Sequence, residues 1–352
     1  VVGKLPQNLK EKDSNLALDV VDLFGDTQET FLADFDWAAE CRDEDDIELD
    51  RKFAEKLNQA MAGYRAKLQP DDEVIILSVD AATTGRLAVT YYQEVPGNEF
   101  IDRVLHWHQN CTWPRWIKLH ETKKWVFINN TAPSPNEIAL AAYGTEQEKG
   151  YLTCNDKLRK ATIRRILPCI IGLSPKIPAD IVKAAVNRAS NPQAYSSFVW
   201  QNCVAPVACA MIKYNEFDGK VNSMELEKDR SYLFGQLLAI LEKVEERALY
   251  LQESKTDDRL TNAKKMWNVY TRRPAITYER LYSHIVRAYL KRLNPGARAK
   301  IENKIMQIIN VLRETDGFNN NPLNERYLLG YYEEREKLMK SKGEKSNEGG
   351  EE

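Results

Sequence analysis

Over the last third of the chain, apolar residues return every three or four positions, and they do so four times. Leu233, Leu237, Ile240 and Val244 make one stripe; Leu260, Ala263, Trp267 and Tyr270 make a second. Tyr278, Tyr282, Ile285 and Tyr289 make a third, and Ile301, Ile305, Ile308 and Leu312 a fourth. A 3.6-residue period puts each set on one helix face, and such a face must be buried against another. The breaks at Thr256-Asp257, Pro274 and Asn294-Pro295-Gly296 are short, which predicts antiparallel neighbours in a bundle over residues 224–340. A fifth helix is predicted from about Pro322 to Lys340, and the Lys/Glu/Gly tail 341–352 is expected to be disordered.

Upstream the pattern changes. Residues 1–72 are acidic: Asp43-Glu44-Asp45-Asp46 is a charge run, and Phe53, Leu57, Ala60 and Tyr64 repeat at helical spacing before Pro70. Residues 73–133 read as a strand-rich region. Val74–Val79 is a β-branched run, Ala82–Gly85 a turn and Arg86–Val95 a second strand, with a helix from Glu99 to about Gln109. Residues 134–220 read as helical. Ser134-Pro135-Asn136-Glu137 starts one helix and Asn191-Pro192 precedes another over Gln193–Tyr214, which Pro206 should kink or split. Pro168, Pro175 and Pro178 punctuate the stretch between them. The predicted class is α+β: a small α/β region containing a β-hairpin, then a mostly helical part ending in an antiparallel helical bundle.

The net charge of −2 conceals a strong segregation. Residues 1–60 carry 16 acids and 7 bases, whereas residues 264–313 carry 12 bases and only Glu279 and Glu302 as acids. Arg280, His284, Arg287 and Lys291 fall at i, i+4, i+7 and i+11, a basic stripe beside the apolar one. Lys264, Lys265, Arg272 and Arg273 precede it; Arg292, Arg298, Lys300 and Lys304 follow. Unbalanced positive charge on packed helices repels itself unless a polyanion is near, so these eleven Lys and Arg residues are the candidate nucleic-acid contacts.

Signs of catalysis are absent. There is no GxxxxGK[ST] loop, no GxSxG elbow and no HExxH. His106-Trp107-His108 with Cys111 is the one metal- or thiol-type cluster, and it lacks a companion ligand pair, so no cofactor and no metal are expected. Six scattered cysteines suit reduced thiols in a cytoplasmic protein. Apolar runs are too short to span a bilayer, and Val1-Val2-Gly3-Lys4 opens without a secretory signal or an initiator Met, so a fragment is expected.

Several stretches also carry a family likeness: LSVDAATTGR (77–86), Trp107-His108 with Cys111-Thr112-Trp113, SPNEIALAAYG (134–144), LPCIIGLSPKIP (167–178), AVNRASNPQAY (185–195), SYLFGQLLAILEK (231–243) and YLLGYY (327–332). In this order and spacing the chain resembles the C-terminal part of the large subunit of the type I-C CRISPR surveillance complex, Cascade. The resemblance implies a longer parent protein and a subunit that is not an enzyme. It implies help in recognising the motif beside the target and in opening the duplex, with a C-terminal bundle contacting displaced DNA. The implied partners are other Cascade subunits, the crRNA, target double-stranded DNA and its displaced strand, and a recruited helicase–nuclease, with no membrane. It also implies a small subunit made by internal translation, for which Met224 is the candidate start. The alternatives are a stand-alone nucleic-acid-binding adaptor and a zinc or thiol enzyme using His108 and Cys111.

Overall fold

The computed structural model describes residues 73–81, 87–118, 125–128, 132–147, 150–217, 226–253 and 260–340. The acidic segment 1–72, the turn at 82–85, the break at 256–257, Met224 and the tail 341–352 lie outside the described residues. What is described is mostly helical, with small antiparallel strand pairs, in two compact units. The first runs to Ala185 and includes Gln201–Lys220; the second comprises Val186–Trp200 and the chain from Val221.

The first unit opens on the expected hairpin. β1 (Glu73–Ala81) pairs antiparallel with β2 (Leu87–Pro96), Val74 opposite Val95, with a bulge between Ser78 and Val79. Alternation decides the faces: Ile76 and Val95 are buried with Ile171, while Ile75 and Tyr92 are exposed. Helix α1 (Gly97–Asn110) then buries Ile101, Val104 and Trp107. A second hairpin, β3 (Arg115–Lys118) with β4 (Trp125–Ile128), and a third, β5 (Thr145–Glu146) with β6 (Leu152–Thr153), were not evident in the sequence. Runs of four and two residues are too short to show a period.

Helix α2 (Pro135–Tyr143) starts where Ser134-Pro135 predicts, with a capping box in which Ser134 and Glu137 satisfy each other's backbone N–H. Helix α3 (Asp156–Ile170) corrects one expectation, since Pro168 sits inside its last turn. The Pro168 carbonyl accepts from Leu173 and Ser174, and Gly172, at φ +68°, turns the chain there. Helix α4 (Ala179–Ala189) follows.

The single helix expected over Gln193–Tyr214 is broken. A 3-10 turn at Pro192–Ala194 leads to the short α5 (Ser197–Val199), then a π-helical stretch Trp200–Val204, then α6 (Ala205–Phe217). Pro206 has no N–H for the Asn202 carbonyl and crowds it, and the wider π turn absorbs the conflict.

In the second unit the long α7 (Arg230–Glu253) is packed against by four further segments: α8 (Asn262–Lys265) with α9 (Trp267–Arg272), α10 (Pro274–Ala288), α11 (Pro295–Glu314) and α12 (Arg326–Lys340). Leu233, Leu237, Ile240, Val244, Trp267, Tyr270, Ile285, Ile305, Ile308 and Leu312 are all buried, as their period requires. Glu245 accepts from Asn262, and Tyr270 donates to the Phe234 carbonyl, so α8–α9 runs antiparallel to α7. The first and last helices run parallel instead: Asp229 pairs with Arg326 and Glu242 with Arg335. An odd number of alternating segments leaves its two ends pointing the same way.

Helices α7 and α12 meet through glycine. A Cβ added at Gly330 would lie 2.0 Å from the Tyr232 carbonyl oxygen, and one at Gly235 2.0 Å from that of Tyr327. Beside this contact lies a buried ionic cluster. Glu242, fully enclosed, is 3.2 Å from Lys264 and 3.0 Å from Arg335, and accepts from the Tyr331 hydroxyl; Arg335 also reaches Glu246 at 3.0 Å. Trp200 fills the remaining space. It is wholly buried against Trp267, Tyr331 and Tyr332, and its indole N–H donates to the Ala189 carbonyl at 2.9 Å. Val186–Trp200 therefore clusters with the bundle, although the sequence reading groups it with residues 134–220.

Candidate nucleic-acid interface

The candidate surface is built on α10. Arg273 precedes it and Pro274 occupies its first turn, where a missing N–H costs nothing. Tyr278, Leu281 and Ile285 face inward, which turns Arg280, His284 and Arg287 outward, exposed. The helix stops at Ala288, before the predicted stripe is complete. A 3-10 turn, Leu290–Arg292, follows, burying Leu290 and leaving Lys291 and Arg292 exposed. The chain must leave helical geometry before Asn294-Pro295, because a residue preceding proline disfavours it. Lys291 is thus carried by the turn and not by the helix.

Arg272 and Arg273 are exposed at the α9–α10 junction, and Lys265 is exposed on α8. Lys265, Arg272, Arg273, Arg280, Arg287 and Lys291 have no ion-pair partner among the described residues. Arg292 lies over the Tyr289 ring at 5.4 Å. Glu279 is the one acid on α10.

Four sequence candidates lie elsewhere. Lys264 is a correction to the surface reading: it is 5% exposed, paired with Glu242, within 3.4 Å of the Ser197 hydroxyl and over the Trp200 ring. Thr261 caps the short α8 and directs Lys264 inward, where the carboxylate of Glu242 compensates its burial. Arg298 pairs with Glu302 one turn on, at 2.9 Å, and Lys304 reaches the buried Glu334 at 2.6 Å. Lys300 is exposed on α11, on the wall of a groove between α11 and α7. That groove also carries Lys243 and Arg247, which the sequence reading missed because they lie within an apolar helix outside the basic block.

The metal- or thiol-type alternative sits in the first unit. Cys111 caps α1, its N–H donating to the Trp107 carbonyl. Burial pushes its thiol far up, against the opposing pull of Arg115 and Lys213. His108 is pushed down to about 4 by burial and by the Arg115 guanidinium, and its Nδ1 is enclosed without a hydrogen-bond partner. Arg115 itself is buried, donating to the Ala132 carbonyl and paired with Glu137. A protonated thiol and a neutral imidazole beside two cations make a poor site for a cation. Among the described residues, no group of three or more His, Cys, Asp or Glu is placed to hold a metal ion. The five described cysteines are free thiols, and none of the described helices is long and apolar enough to cross a membrane.

No curated protein matches the chain. A family model does: the one described as CRISPR-associated protein (Cas_Csd1) matches residues 11–339, a span that takes in most of both units and every basic candidate from Lys264 to Lys304. On that match the chain belongs to the Cas_Csd1 family of CRISPR-associated proteins.

Proposed function

We propose that this chain is a non-catalytic, large-subunit component of a type I-C Cascade, acting in the cytoplasm in antiviral defence. In this reading it works with other Cascade subunits and a crRNA on target double-stranded DNA, and the bound complex recruits a helicase–nuclease. The basic side of the bundle holds the displaced strand. The observation that carries the reading is the run of exposed cations Arg272, Arg273, Arg280, Arg287 and Lys291, unpaired among the described residues, on a chain of a CRISPR-associated family. R-loop formation exchanges one duplex for another of about equal stability, so a few phosphate contacts to the displaced strand tip it. The reading extends to a shorter product from Met224, which would contain the bundle helices and lack Trp200.

The test is a triple reversal, Arg280→Glu, Arg287→Glu and Lys291→Glu, in the assembled complex. Each lost contact to single-stranded phosphate removes about 0.7 from the slope of log K against log salt, so the triple variant should flatten it by about 2. Target affinity falls most at low salt. Unchanged affinity and slope, with the complex still assembled on its RNA, would falsify the proposal.

A further inference from the structure

The groove between α7 and α11 has two walls of the same design. α7 supplies Ile240, Lys243, Val244 and Arg247 at i, i+3, i+4 and i+7. α11 supplies Ala297, Lys300, Ile301 and Lys304 at the same spacing, and Leu338 of α12 completes the lining. The floor is aliphatic, with Ile240 and Val244 buried beneath half-exposed Ile301 and the small Ala297. The groove is open along one side and holds about 190 Å³. Both rims are cationic. Lys243 and Lys304 already hold Glu246 and Glu334, at 3.1 and 2.6 Å. Arg247 and Lys300 have no ion-pair partner among the described residues.

We propose that this groove docks an acidic amphipathic helix of a partner protein, with aliphatic anchors in the floor and Asp or Glu facing each rim. An apolar slot between helical walls suits anchors spaced i, i+3, i+4 and i+7. Cations on both sides select a partner whose apolar stripe is flanked by acids on both sides. Nucleic acid fits less well: the lining has no aromatic ring on which a base could stack. The inference is independent of the phosphate-binding role of α10, which lies outside this groove.

The probe is a fluorescein-labelled helical peptide with Leu along one stripe and Glu on both flanks, titrated onto the intact chain by anisotropy. A second peptide carries Lys in place of Glu. The acidic peptide should bind saturably and the basic one should not. Arg247→Glu should weaken binding about tenfold or more, and Ala297→Leu should block it by filling the slot, with circular dichroism melts showing that both variants remain folded. The triple reversal on α10 should leave peptide binding intact. The proposal is overturned if the acidic peptide fails to saturate, if both groove variants bind it normally, or if an oligothymidine fully displaces it.

Discussion

Adding one methyl group where α7 meets α12 should separate the two helices. In an ordinary helix Gly→Ala gains about 1 kcal/mol, because alanine loses less backbone entropy on folding. At Gly330 the new Cβ would lie 2.0 Å from the Tyr232 carbonyl oxygen and 2.8 Å from its carbon, both backbone atoms of a rigid helix. Ordinary contact begins near 3.4 Å, so the two backbones must part by more than 1 Å. Forced overpacking costs about 1–3 kcal/mol, and parting these helices also stretches the Glu242–Arg335 pair at 3.0 Å. The net expectation for Gly330→Ala is a loss of about 2 kcal/mol, or roughly 4–8 °C in Tm for a unit of this size. Gly296→Ala is the control. It lies in the first turn of α11, and its Cβ would meet nothing closer than 3.9 Å, so it should raise stability by up to about 1 kcal/mol. Scanning calorimetry on the intact chain reads both. The reasoning fails if the two alanines shift the transition in the same direction.

Two further outcomes follow from buried charge. His108 has a folded pKa of about 4 against an unfolded value of about 6.5, so the stability it confers is complete above 6.5 and disappears as pH falls towards 4. That share is up to about 3 kcal/mol; urea midpoints of the chain and of His108→Gln, taken from pH 7.5 to 4.5, should converge on acidification, and parallel profiles would sink the idea. Lys264→Met should cost the bundle about 3 kcal/mol by leaving Glu242 short of one cation. It should leave DNA retention by the assembled complex unchanged, since Lys264 is interior; weakened retention at full stability would return it to the surface.

How much could be read beforehand depends on the range of the cause. The bundle stripes were legible because burial at a 3.6-residue period is a local signal: Leu237, Ile285 and Leu312 are inside where the spacing puts them. Arg280 and Arg287 were legible for the same reason, being out of phase with Tyr278 and Ile285. Lys264 was not. A lysine on a four-residue helix looks like surface until Glu242, remote in sequence, turns inward to meet it. The hint was Glu242 and Glu245 in phase with Leu238 and Leu241, acids on an otherwise buried face. Gly235 and Gly330 look like helix weaknesses until the partner backbone is seen. Val186–Trp200 looks like part of its neighbours until its long-range contacts are seen: Trp200 on Trp267 and Tyr331, Gln193 on the Lys264 and Lys265 carbonyls, and Ser190 on Tyr327.

The enclosed charges beside the glycine contact have a consequence for how the bundle can move. Sliding α12 along α7 by one turn, about 5.4 Å, would carry Arg335 away from Glu242 and leave that enclosed carboxylate with Lys264 as its remaining cation. The same slip would bring bulky side chains to the narrow crossing that Gly235 and Gly330 keep open. Two unrelated penalties therefore share a single zero, and the pair behaves as a keyed shaft: it can transmit a push along the bundle but cannot absorb one by changing step.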